Sequence, residues 1–468
     1  MSFIWLGFII ASILEAQAFG MQPTAALPEK ITTEAAPIGA VNPLPMSVVS
    51  PQPNPPSTPI STEKEPSYGK LSPLGQLPNW KELERYSHQL TQDEFEKAWK
   101  EIYSEMNGPP PPWQVADEAL MVPTEDHGAE LLKLAFRKPT EDAPEIQTTW
   151  RRAASLPPLE GRPVLSDLRI SLDPGHLGGS WAQIEERFLS FKQGEVVCEG
   201  DLTLIVAKIL AERLKALGAI VSLVRDQPEP VTNFRPQDFE RVARDLLTES
   251  GFPTAKKTYE GLTGDSKLLT VQWQSEKLFY RVSEIHARGT KVNQELKPDL
   301  VLCLHLNAES WGAATSPQFS PLNHLHALVN GCYSRAELLQ QDVRHGMLMR
   351  LFSRIHEEEL PLAASVVEGL ARRTLLPPYV YTTSNARRVT ESSYVYARNL
   401  LANRLYQCPV VYLEPFVMNH EETYRRLLLG HYLGRTLLGG QLVTSALEDY
   451  VSGVTDGLTD YYRRNRQP

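Results

Sequence analysis

The chain has 468 residues, 42% of them hydrophobic and 22% charged, with a formal net charge of −9. This is ordinary globular usage with room for a sizeable core, and the length suggests two or three domains. The acidic balance, without a long basic stripe or a basic patch interleaved with aromatics, argues against nucleic acid as the main partner.

Phe3 to Leu14 reads FIWLGFIIASIL, one apolar run too short to span a bilayer comfortably as a helix. Ala16-Gln17-Ala18 follows with the small-x-small pattern of a signal-peptidase site. Residues 1–18 are therefore expected to be an export signal cleaved after Ala18. Retention of the segment as an anchor is the alternative, and the only route by which the chain would meet a membrane. Residues 19–80 are rich in Pro, Ser and Thr, most densely at PQPNPPSTP, and are expected to form a disordered, semi-extended linker.

Order is expected from about Trp80. Thr91-Gln-Asp-Glu94 fits a capping box, with Leu90 and Phe95 placed as a hydrophobic staple. Phe95, Trp99 and Ile102 then share a helical face, and Asn107-Gly108 with four prolines ends it. Residues 119–137 read either as short strands or as a second helix. The stretch 81–150 is expected to be a small α+β module.

From Leu168 the pattern becomes one of alternating strands and helices. LRISL is a strand. Leu202, Ile205, Ile209 and Leu217, with Val206, Leu210 and Leu214 beside them, form a helical stripe that Gly218 would cap. AIVSLV, DLVLCL and VVYL are further strands. The expected fold class is α/β: a twisted, mostly parallel sheet with helices on both faces, covering 160–440. A C-terminal helix and a frayed basic tail would occupy 441–468. Cys198, Cys303, Cys332 and Cys408 show no metal-type spacing and read as free, mostly buried thiols.

Four polar residues stand where such a sheet would collect a ligand, at the carboxyl ends of strands or the start of a helix. His176 follows LRISL inside the turn SLDPGHLGG. Glu199 opens the helix EGDLTLIVAKIL. His305 ends DLVLCL, and Glu414 ends CPVVYLEP. Two histidines and one carboxylate can form a catalytic zinc site with an open fourth position. A second carboxylate beside it can move a proton. Taken singly, each residue has a plainer reading: a turn histidine, a carboxylate at a helix N-terminus, a core histidine and a buried strand terminator.

In this order the four resemble the zinc-dependent N-acetylmuramoyl-L-alanine amidases of bacterial cell-wall turnover. LDPGHLGG is similar to that family's DPGHGG, with Leu177 inserted. EGDLTLIVAKILAERLKALGAIVSLVRD is similar to its second block, with Gly200 where the family usually has Lys. LVLCLHLNA keeps His305, Asn307 and Ala308, while Arg288 and Asn293 match an upstream R-x-x-x-A-N with Val292 for Ala. PVVYLEPFVMN is similar to the fourth block but one residue shorter after Glu414. The resemblance spans about 168–435.

It implies that His176, Glu199 and His305 bind one Zn²⁺ and that Glu414 is the catalytic carboxylate. It further implies hydrolysis of the amide between N-acetylmuramic acid and L-alanine in peptidoglycan, in the periplasm or cell envelope. A zinc peptidase cutting stem peptides and a non-catalytic wall-binding or regulatory protein are the alternatives. A protein activator is left open.

Asn307 is a candidate substrate contact, as are Arg387 and Arg388, whose guanidinium groups could hold a stem-peptide carboxylate, although a surface salt-bridge role is their plainer reading. An insertion at about 227–280 reads as an elaborated surface helix pair or as a lid. His324 and His326 share a strand face and could bind a metal, although a cleft-lining or solvated face is their plainer reading. Lys208 and Arg213 read as the exposed face of their helix.

Overall fold

The computed structural model describes residues 68–467 except 117, 126–129, 147, 193 and 311–316. The expected export signal and most of the expected linker lie outside the described residues. No helix among the described residues is long and apolar enough to cross a membrane. Contacts begin earlier than Trp80. Asp342 accepts from the Ser72 N–H at 2.8 Å, and Arg344 donates to the Tyr68 carbonyl at 3.1 Å.

The N-terminal stretch forms a three-stranded antiparallel sheet from β1 (Gln114–Ala116), β2 (Ala119–Pro123) and β3 (Leu131–Ala135). Residues 119–137 thus settle as strands rather than a helix. Before them runs the Gln92–Ala98 helix. Thr91 and Glu94 form its capping box, and Leu90 and Phe95 are both buried. Phe95 lies 5.6 Å from Phe352, ring centre to ring centre, and the segment shares one apolar core with the central sheet.

That sheet has seven strands in the order β10-β11-β9-β12-β8-β4-β7. They are β4 (Arg169–Pro174), β7 (Ile220–Leu223), β8 (Leu300–Leu304), β9 (Leu325–Val329), β10 (Arg387–Arg388), β11 (Val395–Ala397) and β12 (Val410–Pro415). A separate hairpin of β5 (Phe188–Lys192) and β6 (Glu195–Cys198) leads into the Glu199–Ala216 helix. The block β7, β4, β8 and β12 is parallel. β9 then runs antiparallel to β12, and β11 parallel to β9.

Side chains alternate across the sheet, as the strand period requires. Leu302 and Leu413 face one core, which contains the long helices Glu199–Ala216, His356–Thr374 and Ala446–Asn465. Val301, Cys303 and Tyr412 face another, with Val292, Ala402 and Tyr406. Helices therefore cover both faces, as the α/β reading expects. The cysteines are free, with Cys303, Cys332 and Cys408 buried and Cys198 partly exposed.

Three local readings are corrected. The buried stripe of the Glu199–Ala216 helix runs through Leu202, Val206, Leu210 and Leu214, while Ile205 is 41% exposed. The i, i+4 row closest to the sheet takes the contact, and Ile205 lies off it. Arg213 is not simply a solvated side chain. It bonds Glu448 and Ser452, each at 2.8 Å, and ties its helix to the C-terminal one. The tail does not fray at Arg466, whose buried guanidinium donates to the carbonyls of Pro157 at 2.7 Å and Ser166 at 2.6 Å.

His356 opens its helix in a buried position, with Nδ1 3.4 Å from the Tyr103 hydroxyl. Burial lowers its pKa from 6.5 to about 4. The folded chain thus resists a proton that the unfolded chain accepts. Stability is intact above pH 6.5, declines as pH falls toward 4, and changes no further from this group below that. The loss is expected to reach about 3 kcal/mol, at about 1.36 kcal/mol per pH unit. Denaturant unfolding of wild type and His356→Asn at pH 7 and pH 4 measures it, and the variant should lose this share of the pH dependence.

Candidate metal centre

β4 and β8 are adjacent and parallel, so their carboxyl ends release His176 and His305 side by side. The Gly175 N–H donates to the Leu304 carbonyl at 2.8 Å, fastening the turn to the end of β8. The left-handed backbone falls on His176 itself, at φ 59°. Gly175 serves a different need, because any Cβ there would overlap the His305 ring. Arg288 fixes the rest of the turn. Its buried guanidinium donates to Asp173 Oδ1 at 2.9 Å, to the Pro174 carbonyl at 2.8 Å and to the His176 carbonyl at 3.2 Å.

Glu199 arrives from the β5–β6 hairpin as the first residue of its helix and is 1% exposed. Its Oε1 accepts from the Leu306 N–H at 3.0 Å and lies 3.2 Å from His305 Nδ1. Its Oε2 lies 3.3 Å from His176 Nε2. The ligand atoms of His176, Glu199 and His305 all fall within 4.8 Å of one another, the only such group of three among the described residues.

Two observations test whether a cation fits. His176 Nε2 and Glu199 Oε2 are buried, and neither has a hydrogen-bond partner among the described residues. In addition, two imidazoles and one carboxylate are a donor set that catalytic zinc sites use. The donor set fits Zn²⁺.

Ligation needs neutral imidazole and ionised carboxylate. Burial holds His176 well below its ordinary pKa, against the pull of Glu199. Burial pushes the Glu199 carboxyl up, but His176 and His305 outweigh it and hold the group below the usual range.

Glu185 is a residue that spacing did not reveal. Its Oε2 lies 3.1 Å from His176 Nδ1 and accepts the Leu177 N–H at 3.0 Å. A carboxylate on the far nitrogen fixes the tautomer and the ring direction of a ligating histidine. The Tyr412 ring stacks on His305, with centres 4.1 Å apart and planes 15° from parallel. Glu414 comes from β12, next to β8, and is 3% exposed. Burial raises its pKa well above the ordinary value and Glu199 adds to the rise, while Arg187 and Arg398 oppose it.

Asn307 borders a narrow cavity with Glu414, and its Oδ1 accepts the Ala308 N–H at 2.7 Å. Arg387 and Arg388 are not brought to this group. They lie on β10, the far edge strand, and Arg387 donates to the carbonyls of Lys100 at 2.6 Å and Ser104 at 3.0 Å. Its fork holds the N-terminal segment in place. His324 and His326 are buried rather than solvated, at 6% and 3% exposure.

The inserted Leu177 and the unusual Gly200 are explained together. Leu177 is fully buried in a small core with Phe239, Leu247, Val271 and Phe279 of the 227–280 insertion. This carries its carbonyl against the Cα of residue 200, where any Cβ would overlap it. Gly200→Ala is therefore expected to cost about 1–3 kcal/mol by overpacking and to weaken metal binding, because residue 200 adjoins Glu199. Urea unfolding and zinc titration check the two effects. The insertion's helices Glu240–Glu249 and Val271–Lys277 pack on the turn that carries His176.

Fold and cluster together define an α/β-sheet protein with a candidate two-histidine, one-carboxylate metal centre at the sheet's carboxyl edge. No family model matches the chain, and no curated protein matches it. Among solved structures it is similar to the apo form of the N-acetylmuramyl-L-alanine amidase Ami1 from Mycobacterium abscessus. That likeness has 15% identity and a TM-score of 0.32, covering 63% of this chain and 99% of that one. It is also similar to Ami1 from Mycobacterium smegmatis, with 13% identity, a TM-score of 0.33, and coverage of 64% and 99%. A third is the CwlD amidase from Clostridioides difficile in complex with the GerS lipoprotein, with 11% identity, a TM-score of 0.34, and coverage of 63% and 98%.

Proposed function

We propose that the protein is a zinc-dependent N-acetylmuramoyl-L-alanine amidase. The observation that supports this most is the convergence of His176, Glu199 and His305 with their unpartnered ligand atoms, beside a fourth buried group, Glu414. The motif resemblance of the four residues names the reaction class. His176, Glu199 and His305 would hold one zinc ion, which when bound polarises the scissile carbonyl and activates water.

The remaining work falls to the chain. Water adds its hydroxyl to the lactyl carbonyl carbon, and the carbon–nitrogen bond breaks. Glu414 accepts the water proton and passes it to the departing nitrogen. The products are a lactyl carboxylate on the sugar and a free amino group on L-alanine. Glu185 and Arg288 keep His176 aimed, and Tyr412 holds the His305 ring. Peptidoglycan lies outside the cytoplasm, so this activity requires export, consistent with the apolar N-terminal segment and its small-x-small site.

Metal removal tests the reading. Chelator-stripped protein should release no dye from labelled murein, and one equivalent of zinc should restore release. Activity that survives stripping overturns it.

A further inference from the structure

β9 places His326 directly opposite Glu414 in antiparallel register. Side chains so paired share a sheet face, with Cβ atoms about 4.5–5.5 Å apart. His326 and Glu414 line a narrow cavity with Asn307, Tyr379, Tyr381 and Arg398. Its volume is about 10 Å³, near the least that holds one water-sized group. Asn307, Tyr379 and Tyr381 are partly exposed, so the cavity opens between them.

Hydrogen bonding fixes the state of the His326 ring. The Arg398 guanidinium stands by the Tyr381 ring, 5.9 Å from its centre. The Tyr381 hydroxyl lies 3.1 Å from His326 Nε2. A phenol O–H is a stronger donor than a neutral imidazole N–H, and an imidazole nitrogen is the stronger acceptor, so Tyr381 donates to Nε2. Burial keeps the ring neutral, with His324 and Arg398 adding to the effect. The ring proton then sits on Nδ1. This N–H is buried and has no partner among the described residues, a rare condition that calls for an acceptor. The neighbouring His324 is engaged elsewhere, with Nε2 2.9 Å from Glu309.

We propose that the His326 Nδ1–H is the donor of a substrate subsite beside Glu414, taking one neutral acceptor oxygen of peptidoglycan. The inference rests on the amidase reading and deepens it. The cavity admits a single oxygen rather than a bulky group. The Glu414 carboxyl and the Arg398 guanidinium both line the wall, so the cavity carries no net charge that selects for an ionised oxygen. The acceptor comes either from the stem peptide or from the sugar.

The test is calorimetric binding of two probes to the full-length zinc-loaded protein. One probe is N-acetylmuramic acid and the other a tripeptide stem beginning with L-alanine. His326→Asn keeps an N–H at the Nδ1 position, whereas His326→Gln offers one only near Nε2. The Gln variant should bind one probe about three- to tenfold more weakly, the range of a lost neutral hydrogen bond, and the Asn variant should bind near wild type. Weakening of the tripeptide assigns the oxygen to the stem, and weakening of the sugar assigns it to the glycan. Equal loss in Asn and Gln, no loss in either, or a wild type that binds neither probe overturns the proposal. Should the Gln variant melt early, Tyr381→Phe releases the tautomer at constant volume and should weaken the same probe. Because binding needs no turnover, an inactive wild type sinks the amidase reading without deciding this one.

Discussion

Glu199→Ala is expected to lose metal and activity together. Glu199 is the only charged member of the cluster, and each of its oxygens faces a different histidine. Without it, His176 Nε2 and His305 Nδ1 no longer converge on a shared acceptor. The Leu306 N–H also loses its partner. Removing a group that only orients a ligand costs about 10–100-fold in metal affinity, and loss of the ligand itself should cost more. Zinc content by plasma mass spectrometry after gel filtration, beside dye release from murein, measures both. The variant should carry no zinc and leave murein intact.

Glu414→Gln is expected to separate the two properties. The substitution keeps shape and burial but removes the atom that takes the proton. Zinc content should match wild type, while kcat falls about 10²–10⁴-fold, the usual worth of a positioned acid–base group. In the metal-free protein burial, and after it the charge of Glu199, raise the pKa of Glu414 well above the ordinary carboxylate value. Neutralising Glu199 through ligation removes the second cause, so the carboxyl should ionise more readily in the loaded enzyme. An active Glu414→Gln enzyme would overturn the assignment of this residue as the base.

The parts of this account that were legible in the sequence depend on where strands end. LVLCL is buried on both faces, so the polar His305 after it had to lie at an edge of the sheet. The same reasoning places Glu414, and a parallel β4–β8 pair carries His176 alongside. Burial periodicity does not report strand direction. β9 was therefore not legible as antiparallel to β12, although that register is what brings His326 beside Glu414. Glu185 carried no signal because its partner is a side chain reached by loop folding, not by any fixed spacing. Arg387 misled for the opposite reason. Two adjacent arginines suit an anion, but β10 sits at the far edge and the fork closes on backbone carbonyls. Leu177 and Gly200 looked like independent departures from a motif, and only the contact between them showed that one requires the other.

The central claim is tested most directly by mass spectrometry of murein digested with the zinc-loaded protein. Intact stem peptides with a free L-alanine amino group, together with sugar strands bearing lactyl carboxylates, are the predicted products. Trimmed stems still attached to N-acetylmuramic acid would contradict the account and indicate a peptidase on the same scaffold.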